Sequence, residues 1–170
     1  MTTGKSGFCL WALFSMLLAT GARAETGVLT VTGEVKTPLK LTLAELKALP
    51  AVKVSAKDHD GNTAEYEGVS LHEVLRQAGV PQGESLRGTA LELCVLVKAA
   101  DNYKAVFSLA ELDPLFTDKK VLLAYRRNGA ELDGAVGPFR LVIPDEKRQA
   151  RWVRQVTELE IIRVNGRAKP

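Results

Sequence analysis

The chain has 170 residues, 46% of them apolar, 25% charged and only 6% aromatic, which is ordinary for one compact globular domain and argues against a disordered or multidomain chain. Lysine and arginine number 23 against 20 acids, and a surplus of three with no long basic tract gives no electrostatic case for nucleic-acid binding.

In chain order, the first segment is one the working protein is expected to lose. Met1 to Lys5 carries positive charge, Phe8 to Leu18 is an apolar run broken only by Ser15, and Ala22-Arg23-Ala24 places small residues where a signal peptidase cuts. The run falls short of the roughly 20 apolar residues of a membrane span. Residues 1–24 therefore read as a signal peptide and residues 25–170 as one domain, with a bacterial periplasm as the destination. Cutting after Ala24 removes Lys5 and Arg23 and no acid, which leaves 146 residues, a net charge of +1 and one cysteine, Cys94. One cysteine closes no intramolecular disulfide, so stability is expected from packing alone.

Val28 to Val35 alternates and is rich in β-branched residues, which predicts a strand leading to a turn near Thr37-Pro38. Thr42-Leu43-Ala44-Glu45 has the spacing in which the two end side chains satisfy each other's exposed amides, so a helix is predicted there and stopped by Pro50. The same device recurs at Ser70 to Glu73, before a helix ending near Gly79, and at Ser108 to Glu111, before Pro114. Strands fill the intervals. Val52 to Ala56 and Thr63 to Tyr66 flank an Asp60-Gly61 turn, Leu91 to Lys98 and Tyr103 to Phe107 flank Asp101-Asn102, and Val121 to Tyr125 precedes Asn128-Gly129. Phe139 to Ile143 and Val153 to Val164 complete the β content, and Asn165 to Pro170 reads as a loose tail. Short helices scattered among antiparallel-type strands predict an α+β domain with mixed β-sheets.

The chain contains no Gly-rich phosphate loop, no Gly-x-Ser-x-Gly and no Cys-x-x-Cys, so nucleotide hydrolysis, serine-esterase chemistry and thiol redox lack their minimal parts. Asp58-His59-Asp60 offers three ligand types in a row, but the Gly61 that follows makes an exposed hairpin turn the simpler account. His72 falls on a predicted helix. Cys94 sits in an alternating stretch with no basic neighbour to lower its pKa, which predicts a buried structural thiol.

More informative are Ala100-Asp101-Asn102-Tyr103-Lys104-Ala105 and Gly137-Pro138-Phe139-Arg140-Leu141-Val142-Ile143-Pro144, followed by Arg148 and Arg151-Trp152-Val153-Arg154. Each sets a turn with polar or aromatic groups beside β-structure, an arrangement that presents functional side chains on a rigid frame. Taken singly, each also has a structural explanation: Asp101 as a turn cap, Tyr103 as a half-buried strand aromatic, Trp152 as core.

Together with Leu49-Pro50, Tyr66 to Leu71 and Leu122 to Tyr125, these stretches resemble, in order, the oxidoreductase molybdopterin-binding domain of the sulfite oxidase fold, from about Val28 to Val164. The resemblance implies a single α+β domain with a pterin-holding cleft lined by loops. Catalytic members supply a cysteine thiolate to molybdenum from the strand region before the Gly-Val-x-Leu helix start. Here that region, residues 51–68, reads AVKVSAKDHDGNTAEYEG and holds no cysteine. The soft donor such a metal needs is missing from it, and the chain is short of the C-terminal dimerisation domain of the larger enzymes.

In size, leader and absent cysteine the chain is similar to small periplasmic PruR-type pterin-binding proteins. That resemblance implies binding of a reduced, unphosphorylated pterin, no metal, no turnover, and a report to the periplasmic part of a membrane cyclic-di-GMP enzyme. The alternative it leaves open is a molybdopterin-dependent oxidoreductase subunit or domain. A pterin offers two parallel donors from its 2-amino group and adjacent ring nitrogen, which one carboxylate can accept while an aromatic ring covers the face. Asp101 is the expected carboxylate, Tyr103 or Trp152 the expected face, and Arg140 and Arg151 are expected to donate to the carbonyl oxygen and ring nitrogens or to stack on the bicycle. Arg126, Arg127, Arg140, Arg148 and Arg151 would also suit a phosphate.

Overall fold

A computed structural model describes Met1 and residues 27–164 of the chain. The proposed signal peptide and the tail after Val164 lie outside the described residues, apart from Met1. Among the described residues, ten strands form two five-stranded sheets, with two short helices and four short 3₁₀ segments between them. The first sheet has the order β2-β1-β10-β5-β6, from β1 (Val28–Gly33), β2 (Leu39–Thr42), β5 (Leu93–Ala99), β6 (Lys104–Ser108) and β10 (Val156–Arg163). The second runs β3-β4-β7-β8, from β3 (Ala51–Lys57), β4 (Thr63–Ser70), β7 (Leu122–Arg127) and β8 (Ala130–Glu131), with β9 (Arg140–Val142) also on β7. This is the α+β mixed-sheet domain that the sequence predicts.

One pairing departs from the antiparallel pattern. β1 and β10 lie parallel, Val31 opposite Leu159, so the two ends of the described chain share one sheet. No local signal announces this, because parallel partners need not be close in sequence. β2 is also unannounced. Leu39 to Thr42 is only four residues long and acquires its identity by pairing with β1.

The three predicted helix starts separate on inspection. At α1 (Leu43–Lys47) the reciprocal cap forms: Glu45 N donates to Thr42 Oγ1 at 3.3 Å and Thr42 N donates to Glu45 Oε2 at 2.8 Å. At α2 (Leu71–Gln77) it does not. Ser70 belongs to β4, opposite Leu122, and makes no side-chain cap, while Glu73 turns instead to Arg76 and Gln77. At Ser108 both cap bonds form, yet only a 3₁₀ turn (Ala110–Leu112) follows, since Pro114 cannot continue a helix.

The alternating strands place Leu29, Val31, Val95, Val97, Phe107, Leu159 and Ile161 in one core with Tyr66, Val69, Leu123 and Leu141 of the second sheet. Gly68 sits where β4 bulges against β7. A Cβ there would lie 2.2 Å from the Leu123 carbonyl oxygen, so the close approach of the two strands requires glycine.

Candidate functional site

The β3–β4 hairpin brings Asp58 to the foot of the second sheet. Its loop is closed by Asp58 N donating to Asn62 O at 2.8 Å, with Gly61 at φ +82°. Sheet pairing then delivers Tyr66 from β4, Arg127 from the end of β7 and Arg140 from β9 to the same carboxylate. Tyr66 Oη donates to Asp58 Oδ2 at 2.8 Å, and Arg127 Nη2 lies 3.0 Å from that oxygen. Oδ1 accepts from Arg140 Nη2 at 3.2 Å and from the His59 amide at 2.8 Å. Burial opposes the charge on Asp58, but the His59 amide, the Tyr66 hydroxyl and Arg140 outweigh it and hold the carboxyl at about 2. The Tyr66 hydroxyl is pushed up by burial and by its donation to that carboxylate.

Arg140 is 7% exposed, and its guanidinium lies 5.8 Å from the Tyr66 ring centre and 5.3 Å from that of Trp152. The two rings meet edge to face at 5.9 Å, and Trp152 Nε1 is fixed by donating to Ile143 O at 3.1 Å. Arg140 Nε is buried with no acceptor among the described residues. An unpaired buried donor costs free energy unless something else accepts from it.

Beside this cluster opens a cavity of about 670 Å³. Its charged lining is Lys57, Asp58, Arg140, Lys147, Arg148 and Arg154, five cations around one acid that is already ion-paired. His59, Gln149, Ala150 and Trp152 complete much of the wall. A second cavity of about 210 Å³ holds Asp101 and Tyr103, and shares Gln149, Ala150, Trp152 and Arg154 with the first. Tyr103 Oη donates to Ala150 O at 2.6 Å, tying the β5–β6 loop to the shared 3₁₀ turn Gln149–Arg151.

The sequence-predicted residues therefore divide. Asp101, Tyr103 and Trp152 line the smaller cavity, and Arg140 and Trp152 the larger. Asp101 also caps its own turn, accepting from Tyr103 N at 2.9 Å beside Asn102 at φ +67°. Arg151 lines neither cavity. It lies 4.5 Å from the Phe107 ring centre and is ion-paired with Glu111 at 3.1 Å and with Glu146, which anchors the shared turn from behind. Asp58 is the residue that sequence reasoning misses. The Asp58-His59-Asp60-Gly61 turn signal is correct but says nothing of the arginines that arrive from β7 and β9.

A family model described as oxidoreductase molybdopterin binding domain matches residues 19–168. The chain belongs to that family. Among solved structures, this molybdopterin-binding oxidoreductase-type domain is similar to the sulfane dehydrogenase SoxCD from Paracoccus pantotrophus, at 24% identity and a TM-score of 0.63. The match covers 81% of this chain and 38% of that one, and shows a shared fold. No curated protein sequence matches the chain.

The site of this family member fits the two parts of a molybdopterin unequally. The organic part, a fused-ring pterin with a phosphate-bearing tail, meets an aromatic wall, a largely buried arginine and a cationic lining. The metal does not fit. No sulfur lines either cavity, and the hairpin segment expected to offer a thiolate presents Asp58, with both oxygens engaged. Cys94 lies on β5, where burial pushes the thiol up, with the Glu111 carboxylate adding to the effect. Among the described residues no group of three His, Cys, Asp or Glu side chains is placed to hold a metal ion.

Proposed function

We propose that this chain is a non-catalytic, periplasmic pterin-binding protein that relays the presence of a reduced pterin to the periplasmic part of a membrane cyclic-di-GMP enzyme. The observation that carries this reading is Asp58. The segment 51–68, from which the resemblance expects a thiolate, holds no cysteine, and what it brings to the cavity is a carboxylate neutralised by Arg127 and Arg140 and bonded by Tyr66. A group so engaged is a structural anchor for Arg140, and it has no free lone pair directed at a metal. Arg140, with its guanidinium near the Tyr66 and Trp152 rings, lines the cavity and supplies positive charge to its wall. Asp101 accepts from the 2-amino edge, and Trp152 covers a face. The periplasmic destination is supported by the leader pattern of residues 1–24, and the signalling partner by the resemblance to PruR-type proteins.

The second reading, a molybdopterin-dependent oxidoreductase, is favoured by family membership. One preparation separates the two. Protein made in a host competent in molybdenum cofactor synthesis is analysed for metal and for the fluorescence of its extracted, oxidised ligand. A stoichiometric pterin without molybdenum is expected; one molybdenum per chain would overturn the proposal.

A further inference from the structure

The chain between Ile143 and Trp152 forms a surface loop whose ends meet. Leu141 N donates to Val153 O at 2.8 Å and Trp152 Nε1 to Ile143 O at 3.1 Å, which pins the neck, and Ile143, Trp152 and Val153 are all buried. Above the neck, Glu146 ion-pairs with Arg151, and Arg151 is anchored in turn by Glu111 at 3.1 Å and by the Phe107 ring. The tip beyond that pair, residues 147–150, has no buried side chain, and the backbone bond from Trp152 N to Gln149 O at 3.0 Å stays within the loop. A segment that sends nothing into the core can open locally while the fold stays intact.

This tip is nevertheless a wall of the site. Lys147, Arg148, Gln149 and Ala150 line the larger cavity, and Gln149 and Ala150 the smaller one. Two hydrogen bonds cross from it to other elements. Gln149 Nε2 donates to the Lys57 carbonyl at the end of β3, and Tyr103 Oη, from the β5–β6 loop, donates to Ala150 O at 2.6 Å. Both bonds lie at the surface, where one such bond shifts an equilibrium constant by only about two- to tenfold.

We infer that residues 147–150 are a lid over the ligand cavity, hinged on the Glu146–Arg151 base and latched shut by Gln149 on Lys57 and by Tyr103 on Ala150. With the latches made, the lid and the β3–β4 hairpin wall one space; with them broken, the tip swings away from the hairpin and a ligand enters or leaves. Tyr103 is then a positioning residue that acts through Ala150 rather than the ring that covers the ligand. The lid rests on contacts within this chain, and only the identity of its ligand rests on the pterin reading above.

The tip carries its own reporter, since trypsin cuts after Lys147 and Arg148, and cleavage of a locally opened segment follows the population of the open form when opening is fast. Ligand-free protein, Tyr103→Phe and Gln149→Ala are digested, and the rate at the Lys147–Arg148 bond is read by mass spectrometry. Each rate is divided by that of the same bond in a peptide of residues 141–156 with the same substitution. Each variant is expected to raise the ratio about two- to tenfold and to leave the melting temperature unchanged. Tetrahydroneopterin is expected to slow cleavage in the parent protein.

Unchanged ratios in both variants would overturn the inference. So would a rise accompanied by a lower melting temperature, which would mark loosening of the whole fold. A response in one variant alone would overturn the latch assigned to the other. Ratios that rise in both variants, with no slowing by tetrahydroneopterin, would leave the lid standing and overturn the pterin reading.

Discussion

At the scale of single residues, Asp58 shows how one side chain can organise a site by holding others in place. Its carboxylate orients Arg140, which in turn lies beside Tyr66 and Trp152. Because the folded-state pKa is depressed from 3.8 to about 2, the ion cluster stabilises the fold above about pH 4 and loses that contribution as the pH falls through about 2. The difference corresponds to about 2 kcal/mol at neutral pH. Asp58→Asn is therefore expected to lower unfolding stability by about that amount near pH 7, and the gap between variant and parent to close between about pH 4 and pH 2. Urea denaturation at a series of pH values measures both. A gap independent of pH would show that the lost stability comes from packing rather than from the charge on Asp58.

At the scale of elements, the capping motifs give a controlled comparison. Thr42 and Ser70 look alike in sequence, each three residues before a glutamate, yet only Thr42 makes the side-chain cap. Thr42→Ala is expected to cost about 1 kcal/mol, whereas Ser70→Ala loses no cap bond and is expected to leave the melting temperature nearly unchanged. Thermal denaturation of the two variants side by side distinguishes them, and equal losses would mean that the cap at Thr42 is not what stabilises α1. The contrast also marks a limit of local reading. The Ser70 motif is real as a pattern, but β4 claims Ser70 for its pairing with Leu122, and strand pairing takes precedence over a cap.

At the scale of the whole molecule, the parallel β1–β10 pair closes the domain on itself and places β10 in the middle of its sheet, between β1 and β5. Backbone amides of β5 and β10, paired on both sides, are expected to exchange with solvent most slowly, and those of the edge strands β2 and β6 faster. Hydrogen exchange read by mass spectrometry or NMR checks this, and fast exchange in β10 would mean that the chain ends open independently of the core.

The sequence by itself determined the α+β class, the hairpin at Asp60-Gly61, the turn at Asn128-Gly129, the cap at Thr42 and the burial of Cys94. Each of these depends on neighbours within a few residues, where alternation, turn chemistry and capping act directly. Ordered short motifs also pointed to the family and brought Asp101, Tyr103, Arg140 and Trp152 into view. Only the tertiary structure decided that Asp58 and Arg140 form one cluster, that Arg151 turns away to Glu111 and Glu146, and that Lys57 shares a cavity with Arg148 and Arg154. Those groups are far apart along the chain. Their meeting is fixed by strand register and long-range packing, which no local pattern of residues encodes.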